Sequence, residues 1–204
     1  YDDKGELRND VVISSIVDVF YLNSFDQFVA TAKNLKDSTT DRFDNPTMLD
    51  MMIQDQITFR NSYFFNTIAK HMGNTAEDIA VREAYNESKK IFEDVMDAFL
   101  PGYSQYSPET FEFTKKDSNI KFENLSSGEK QILWLLLTIF NQQKKQTILF
   151  MDEPDLSMHI DWKEMLISKL YQLNPNMQLI VSTHAPSLIT GWINKVQEVD
   201  QITV

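Results

Sequence analysis

The strongest fold signal in the chain is the segment Ile148-Leu149-Phe150-Met151-Asp152-Glu153-Pro154. Its apolar residues followed by two acids predict a buried strand that presents Asp152 and Glu153 at its carboxyl end. One carboxylate at such a position can hold the water shell of a magnesium ion, and the other can position an attacking water. The segment therefore predicts a magnesium-nucleotide site at a strand end.

The second informative segment lies upstream and reads Leu125-Ser126-Ser127-Gly128-Glu129-Lys130-Gln131. It begins a predicted helix from Gly128 to Asn141 that is apolar nearly all round, so we expect this helix to be buried against the sheet. The N–H groups and the dipole at its amino end favour an anion such as a terminal phosphate. Ser126 also suits an ordinary helix N-cap, a role that requires no ligand.

The third segment, downstream, is Leu179-Ile180-Val181-Ser182-Thr183-His184. Together with a strand at 148–152, a helix around 162–173, a strand at 178–182 and a short helix from Pro186, it predicts β-α-β units. Such alternation is typical of a parallel sheet whose ligands bind at the carboxyl ends of the strands.

In this order and spacing, the three segments resemble the signature loop, the Walker B strand and the switch-histidine segment of an ABC-type ATPase head. The residues of these segments resemble those of the SMC, RecF and OLD-like branch, which includes bacterial anti-phage ATPases of retron and Septu type. The close match covers residues 121–190. It implies an α/β fold, namely an ABC-type P-loop NTPase lobe with a parallel sheet and a helical insertion.

The resemblance also implies which residues bind the nucleotide. ATP and Mg²⁺ would be the cofactors, and Asp152 would bind Mg²⁺ through water. The nucleotide held by the opposite subunit would meet the signature residues Ser126, Ser127, Gly128 and Glu129. Because the site is then shared, the resemblance implies a homodimer through the signature segment and the D-loop, the segment after the Walker B strand that contains Asp155.

The catalytic roles follow from the same resemblance. Glu153 would be the general base or water-orienting carboxylate, and His184 would be the switch histidine that contacts the terminal phosphate or the water. Gln27 is a possible Q-loop glutamine. Asp155 is a possible D-loop residue that contacts the partner subunit.

A P-loop is absent from the sequence. The motif G-x-x-x-x-G-K-[ST] requires a Gly-Lys pair, and none of the five glycines is followed by lysine. The P-loop strand and helix would therefore lie outside this chain, which begins with Tyr1 rather than Met. We expect a C-terminal piece of a longer ATPase that is inactive alone.

The chain is predicted to divide into three regions. Residues 1–46 would be a remnant of the N-terminal ATPase lobe, with β-branched residues at 11–22 indicating strands. Residues 47–108 would be a helical hairpin, because apolar residues recur at helical spacing and Thr75 with Asp78 resembles a capping box. Residues 109–204 would carry the signature, Walker B and switch segments, entered through a β-ribbon.

Composition restricts the class of protein. With 42% hydrophobic residues, the 204-residue chain can bury a sizeable core. The net charge of −11 disfavours an electrostatic clamp on nucleic acid, so any contact with nucleic acid would be made through other regions. No apolar run is long enough to cross a membrane, and the lack of cysteine is compatible with a cytoplasmic protein. By the family resemblance, ATP hydrolysis across the head dimer would drive an effector partner, a nuclease or a toxin.

Two alternatives belong to other classes. One is a non-catalytic interaction or dimerisation module. The other is a metal-dependent nuclease whose possible ligands are Asp152, Glu153, Asp155, His159, Asp161 and His184. Carboxylates and imidazoles suit Mg²⁺ or Mn²⁺. The sequence leaves open whether the biological role is DNA repair or phage defence.

Overall fold

The structure is a computed structural model that describes residues 18–22, 46–106, 112–115, 118–155 and 158–198. In chain order its elements are β1 (Asp18–Leu22), α1 (Met48–Asn66), α2 (Ala76–Phe99), β2 (Ser104–Tyr106), β3 (Glu112–Lys115), β4 (Ser118–Lys121), α3 (Ser127–Asn141), β5 (Thr147–Asp152), α4 (Ile160–Leu173) and β6 (Met177–Ser182). Short 3-10 helices span Ile68–His71, Phe122–Asn124 and Ile193–Lys195. The described residues form two compact units.

The first unit, here the sheet unit, contains residues 18–22, 146–155, 158–171 and 177–198. Its three strands are parallel in the order β1-β5-β6. The register pairs Asp152 at the end of β5 with Ser182 at the end of β6. This confirms the predicted parallel sheet with the two acids at a carboxyl end. Of the predicted strand region at 11–22, residues 11–17 lie outside the described residues.

The second unit, here the helical unit, contains residues 46–106, 112–115, 118–145 and 172–176. Both helices of the predicted hairpin are present, and each begins with a capping box. Thr75 and Asp78 form the predicted one, and Thr47 with Asp50 forms another that had not been predicted. Strands β2, β3 and β4 make an antiparallel sheet, which confirms the predicted ribbon. The three-part division of the chain stays a prediction.

Helix α3 is the centre of the helical unit. Every residue from Lys130 to Asn141 is buried, as its apolar circumference predicts. Within this unit its packing partners are α1 and α2. The ring of Phe92 on α2 lies 4.8 Å from that of Phe140. Among the described residues, the largest wholly buried side chains all belong to this unit: Phe92, Phe99, Phe113, Ile53, Ile57, Leu100, Ile132, Leu133, Leu135 and Leu136.

The prediction of a short helix from Pro186 was wrong. Residues 186–191 form consecutive turns, in which Leu188 donates to Ala185 at 3.2 Å and Ile189 donates to Pro186 at 3.3 Å. Both bonds span three residues, so no α-helical ladder is established. Gly191, with φ of +85°, then adopts a left-handed conformation that ends any helical path.

Candidate active site

The ends of β5 and β6 bring Asp152 and Ser182 together. The two residues are register partners in the parallel pair, and the Ser182 hydroxyl donates to Oδ1 of Asp152. Sequence reasoning assigned no role to Ser182, although it stands two residues before the predicted switch histidine. Asp152 is exposed at this edge of the sheet. The hydroxyl therefore orients a carboxylate that a ligand can reach.

Glu153 follows in an unusual backbone conformation. Its φ is +45°, in the left-handed region that residues with a Cβ avoid. Its N–H donates to the carbonyl oxygen of Ser182 at 3.0 Å, which continues the sheet bonding by one residue beyond β5. A strained backbone of this kind persists only where the surrounding structure holds it in place, and it is found more often at functional sites than elsewhere.

The carboxylate of Glu153 meets the imidazole of His184. The Nε2 atom of His184 lies 3.5 Å from Oε1 of Glu153. The side chain of Glu153 is 25% exposed, whereas that of His184 is 98% exposed. The two predicted catalytic residues thus converge at one strand edge, where the imidazole can contact both solvent and the carboxylate.

Asp155 lies just behind this edge and is buried at 5% exposure. It accepts a hydrogen bond from Thr183 Oγ1 at 2.6 Å and from Lys163 Nζ of α4 at 3.1 Å. Burial raises the pKa of this carboxyl, but the hydrogen bonds from Thr183 and Lys163 together with the lysine charge outweigh burial, so the pKa is lowered overall.

Asp155 therefore ties three parts of the sheet unit together: the loop after β5, helix α4 and the loop after β6. Thr183 in turn accepts a hydrogen bond from the N–H of Ala185 at 3.0 Å, so the backbone on both sides of His184 is fixed. The sequence predicted a partner-subunit contact for Asp155 and, in the nuclease alternative, a role as metal ligand, but it predicted neither of the hydrogen bonds to Asp155. No local sequence pattern indicates the contact between Lys163 and Asp155, because Lys163 lies on α4, which begins five residues after Asp155.

The signature segment belongs to the helical unit. Ser126 is the N-cap of α3, and its hydroxyl accepts from the N–H of Glu129 at 3.3 Å. The Glu129 carboxylate accepts from the N–H of Ser126 at 2.8 Å and from the Tyr103 hydroxyl at 2.9 Å. Glu129 thus holds the loop in shape. Nucleotide contact by Ser126, Ser127, Gly128 and Glu129 stays a prediction.

The residues present suit a hydrated magnesium ion at Asp152, because this carboxylate is exposed and is oriented by a hydroxyl. Among the described residues, no three acidic or histidine side chains form a cluster that could hold a metal ion directly. His159 and Asp161, named for the nuclease alternative, form an exposed pair at 3.3 Å. Gln27 lies outside the described residues.

In the part of the chain that is described, no helix is long and apolar enough to cross a membrane. This agrees with the absence of such a segment from the sequence analysis.

Comparison with known proteins finds relatives of the two kinds that the sequence analysis named. The chain is 34% identical over 111 residues to the retron Ec83 probable ATPase of Escherichia coli, which covers 47% of this chain. It is 28% identical over 163 residues to the retron Vc95 probable ATPase of Vibrio cholerae serotype O1 biovar El Tor, covering 72% of this chain. It is 25% identical over 157 residues to the Septu protein PtuA of Bacillus mycoides (strain KBAB4), and this match covers 74% of this chain. The predicted resemblance is thereby confirmed.

The matched segments span only 20%, 29% and 19% of these three relatives. Among solved structures, an SMC head bound to the C-winged helix domain of ScpA is similar over 60% of this chain and 42% of that chain, with 20% sequence identity and a TM-score of 0.43. The family described as AAA ATPase domain matches residues 19–189, which is most of the sequence. The chain therefore belongs to the AAA ATPase domain family.

Proposed function

We propose that this chain supplies the metal-binding acid, the water-activating acid, the switch histidine and the signature loop of an ABC-type ATPase. The observation that carries the proposal is the convergence of Glu153 and His184, 3.5 Å apart, beside the exposed Asp152. A strand-end pair of solvated acids would have no need of a histidine at this distance.

In the proposed reaction, Glu153 accepts a proton from the water that attacks the terminal phosphorus of ATP. The bond between that phosphorus and the oxygen of the ADP leaving group then breaks. His184 donates a hydrogen bond to the phosphate oxygens, where negative charge is concentrated. Asp152 would hold Mg²⁺ through its water shell, and the ion would supply positive charge to the phosphates. Ser182 keeps the Asp152 carboxylate oriented.

The P-loop must come from outside these 204 residues, since no glycine of the chain is followed by lysine. We therefore propose that the chain alone binds ATP weakly and does not turn it over. Ser126, Ser127 and Gly128 would meet the terminal phosphate of a nucleotide held by a second copy, so that ATP closes a homodimer. The capped, anion-favouring end of α3 supports this assignment.

The biological role is proposed from the relatives. Since retron probable ATPases and Septu PtuA proteins are the similar proteins, we propose that the ATPase drives a defence effector, such as a nuclease or a toxin, in the cytoplasm. The net charge of −11 argues against direct nucleic-acid binding by this segment, and such binding would use other regions. Asp155, bonded to Thr183 and Lys163, would shape the D-loop for the dimer.

The test is phosphate release from Mg-ATP by the intact protein, with Glu153→Gln as the variant. This substitution keeps the size of the side chain and removes the base. We expect ATP binding to persist and turnover to fall on the order of 100-fold or more. Turnover unchanged by Glu153→Gln would contradict the proposal, and cleavage of DNA with metal but without ATP would favour the nuclease alternative.

A further inference from the structure

A buried ion pair links the signature helix to the helical hairpin. The Nζ atom of Lys130, within the signature segment, lies 2.7 Å from Oδ1 of Asp50 in the first turn of α1. The side chains are 9% and 7% exposed, so both charges have been taken almost wholly out of water. The two residues are 80 positions apart in the chain, and no sequence pattern connects them.

The two partners are also anchored at the ends of their own helices. The other oxygen of Asp50 accepts from the N–H of Thr47 at 2.9 Å and from its hydroxyl at 3.0 Å, as part of the α1 capping box. The N–H of Lys130 donates to the carbonyl oxygen of Ser126 at 2.9 Å. One carboxylate therefore joins the beginning of α1 to the first turn of α3, where the signature residues lie.

A second bond joins the same two helices at the far end of α3. The side-chain amide of Asn141 donates to the carbonyl oxygen and to Oε1 of Gln56, each at 2.9 Å. With a link at each end of α3, sliding of α1 along α3 would break at least one of them. The hairpin helix and the signature loop are thereby held in a single register.

Buried ion pairs are poor sources of stability, because desolvation offsets much of the attraction and a well-packed neutral pair often serves as well. Their better-attested use is to fix one register. We propose that Asp50 and Lys130 are positioning residues, whose ion pair, here called the latch, holds Ser126, Ser127 and Gly128 in the position required for phosphate contact. A displacement of the hairpin would then be passed to that contact. This inference rests on the proposed ATPase function.

The test separates positioning from stability in the intact protein. Asp50→Asn keeps an oxygen for the Thr47 cap but leaves Lys130 as an unpaired buried charge. Lys130→Met keeps the apolar stem but leaves Asp50 unpaired. The double variant Asp50→Asn with Lys130→Met removes both charges and retains the cap. We therefore expect each single variant to lower the melting temperature, and the double variant to recover most of that loss.

Turnover should behave differently. If the pair positions the signature loop, the double variant still lacks the latch, so its kcat should fall at least tenfold while its melting temperature recovers. Because the P-loop holds the nucleotide on the opposite head, ATP binding by single heads should change less than threefold. A control pair lies on α2, where Lys89 and Glu93 form a partly exposed ion pair at 3.7 Å. Lys89→Met with Glu93→Gln should leave kcat unchanged.

A double variant with recovered melting temperature and wild-type kcat would overturn the inference. If the double variant does not fold, Asp50→Glu provides the second test. Glutamate is also accepted at the third position of a capping box, but its extra methylene moves the carboxylate, so a pair with Lys130 would set a different register of α1 against α3. We expect a folded Asp50→Glu protein with kcat reduced at least tenfold, and wild-type kcat would overturn the inference.

The two proposals fail in different ways. An intact wild-type protein without Glu153-dependent phosphate release would refute the ATPase proposal and remove the basis of the latch. A wild-type protein with Glu153-dependent release, together with variants of the pair that fold and turn over normally, would refute the latch alone.

Discussion

The Nε2 atom of His184 lies 3.5 Å from Oε1 of Glu153, so the residue that follows β5 and the second residue after β6 share one edge of the sheet. The histidine is almost wholly exposed, which suits its proposed role of contacting a phosphate bound outside this chain.

The first prediction concerns His184→Ala. In the intact ATPase it should lower kcat on the order of 100-fold, because a hydrogen-bond donor to the phosphate is lost, and it should leave the melting temperature within a few degrees. His159→Ala is the control, since this imidazole is also exposed, at 67%, and pairs with Asp161 instead. Steady-state phosphate release would measure both. Equal effects of the two substitutions would remove the special role of His184.

The second prediction uses the left-handed backbone at Glu153. Glu153→Gly and Glu153→Ala both delete the carboxylate, so both should abolish turnover. Glycine adopts a φ of +45° without steric cost, whereas alanine does not. We therefore expect the glycine variant to be more stable than the alanine variant by about 1 kcal/mol. Chemical denaturation of the two proteins would measure the difference. A more stable alanine variant would show that the backbone at residue 153 is not strained.

The third prediction separates the cap of α3 from the signature contact. Ser126→Ala should destabilise the protein by about 1 kcal/mol through loss of the N-cap. Ser126→Asn preserves the cap, because asparagine is an equally good N-cap residue, and should leave stability nearly unchanged. Both variants should lose turnover if the serine hydroxyl contacts phosphate. Normal turnover in Ser126→Asn would show that capping alone is the role of Ser126.

The fourth prediction follows from the lowered pKa of Asp155. A carboxyl whose pKa is lower in the folded state contributes stability above its unfolded value of about 3.9, and this contribution is lost as pH falls through the folded pKa. Asp155→Asn should therefore cost about 2 kcal/mol at pH 7, where charged hydrogen bonds are lost. The cost should shrink as the pH falls below about 4.

Denaturant unfolding at pH 7 and at pH 3 would measure this change. Asp161→Asn is the control, because its side chain is 79% exposed and its loss should change stability little at either pH. A destabilisation by Asp155→Asn that is the same at both pH values would contradict an ionised, paired carboxylate.

Local patterns predicted much of this structure. The alternation of apolar strands and amphipathic helices indicated the parallel sheet. Thr75 was identifiable as a helix start from its spacing to Asp78, and Ser126 from its suitability as an N-cap. Glu153 and His184 could be placed at one edge because the carboxyl ends of parallel strands meet there. Strands β5 and β6 each begin one residue earlier than predicted.

Other features depend on tertiary contacts that no short window of sequence contains. Lys163 reaches Asp155 from the next helix, and Lys130 reaches Asp50 across 80 positions. The left-handed backbone at Glu153 was also invisible, because glutamate does not favour it and the sheet bond to Ser182 imposes it. At Pro186, local helix signals were overridden by turns that end at Gly191.

The decisive measurement is phosphate release from Mg-ATP by this 204-residue chain, alone and with an excess of the polypeptide that carries the P-loop, each with Glu153→Gln in parallel. We predict no release by the chain alone, and release on reconstitution that Glu153→Gln abolishes. Release by the chain alone, or release on reconstitution that does not depend on Glu153, would contradict the assignment of Asp152, Glu153 and His184 as one half of a P-loop ATPase site.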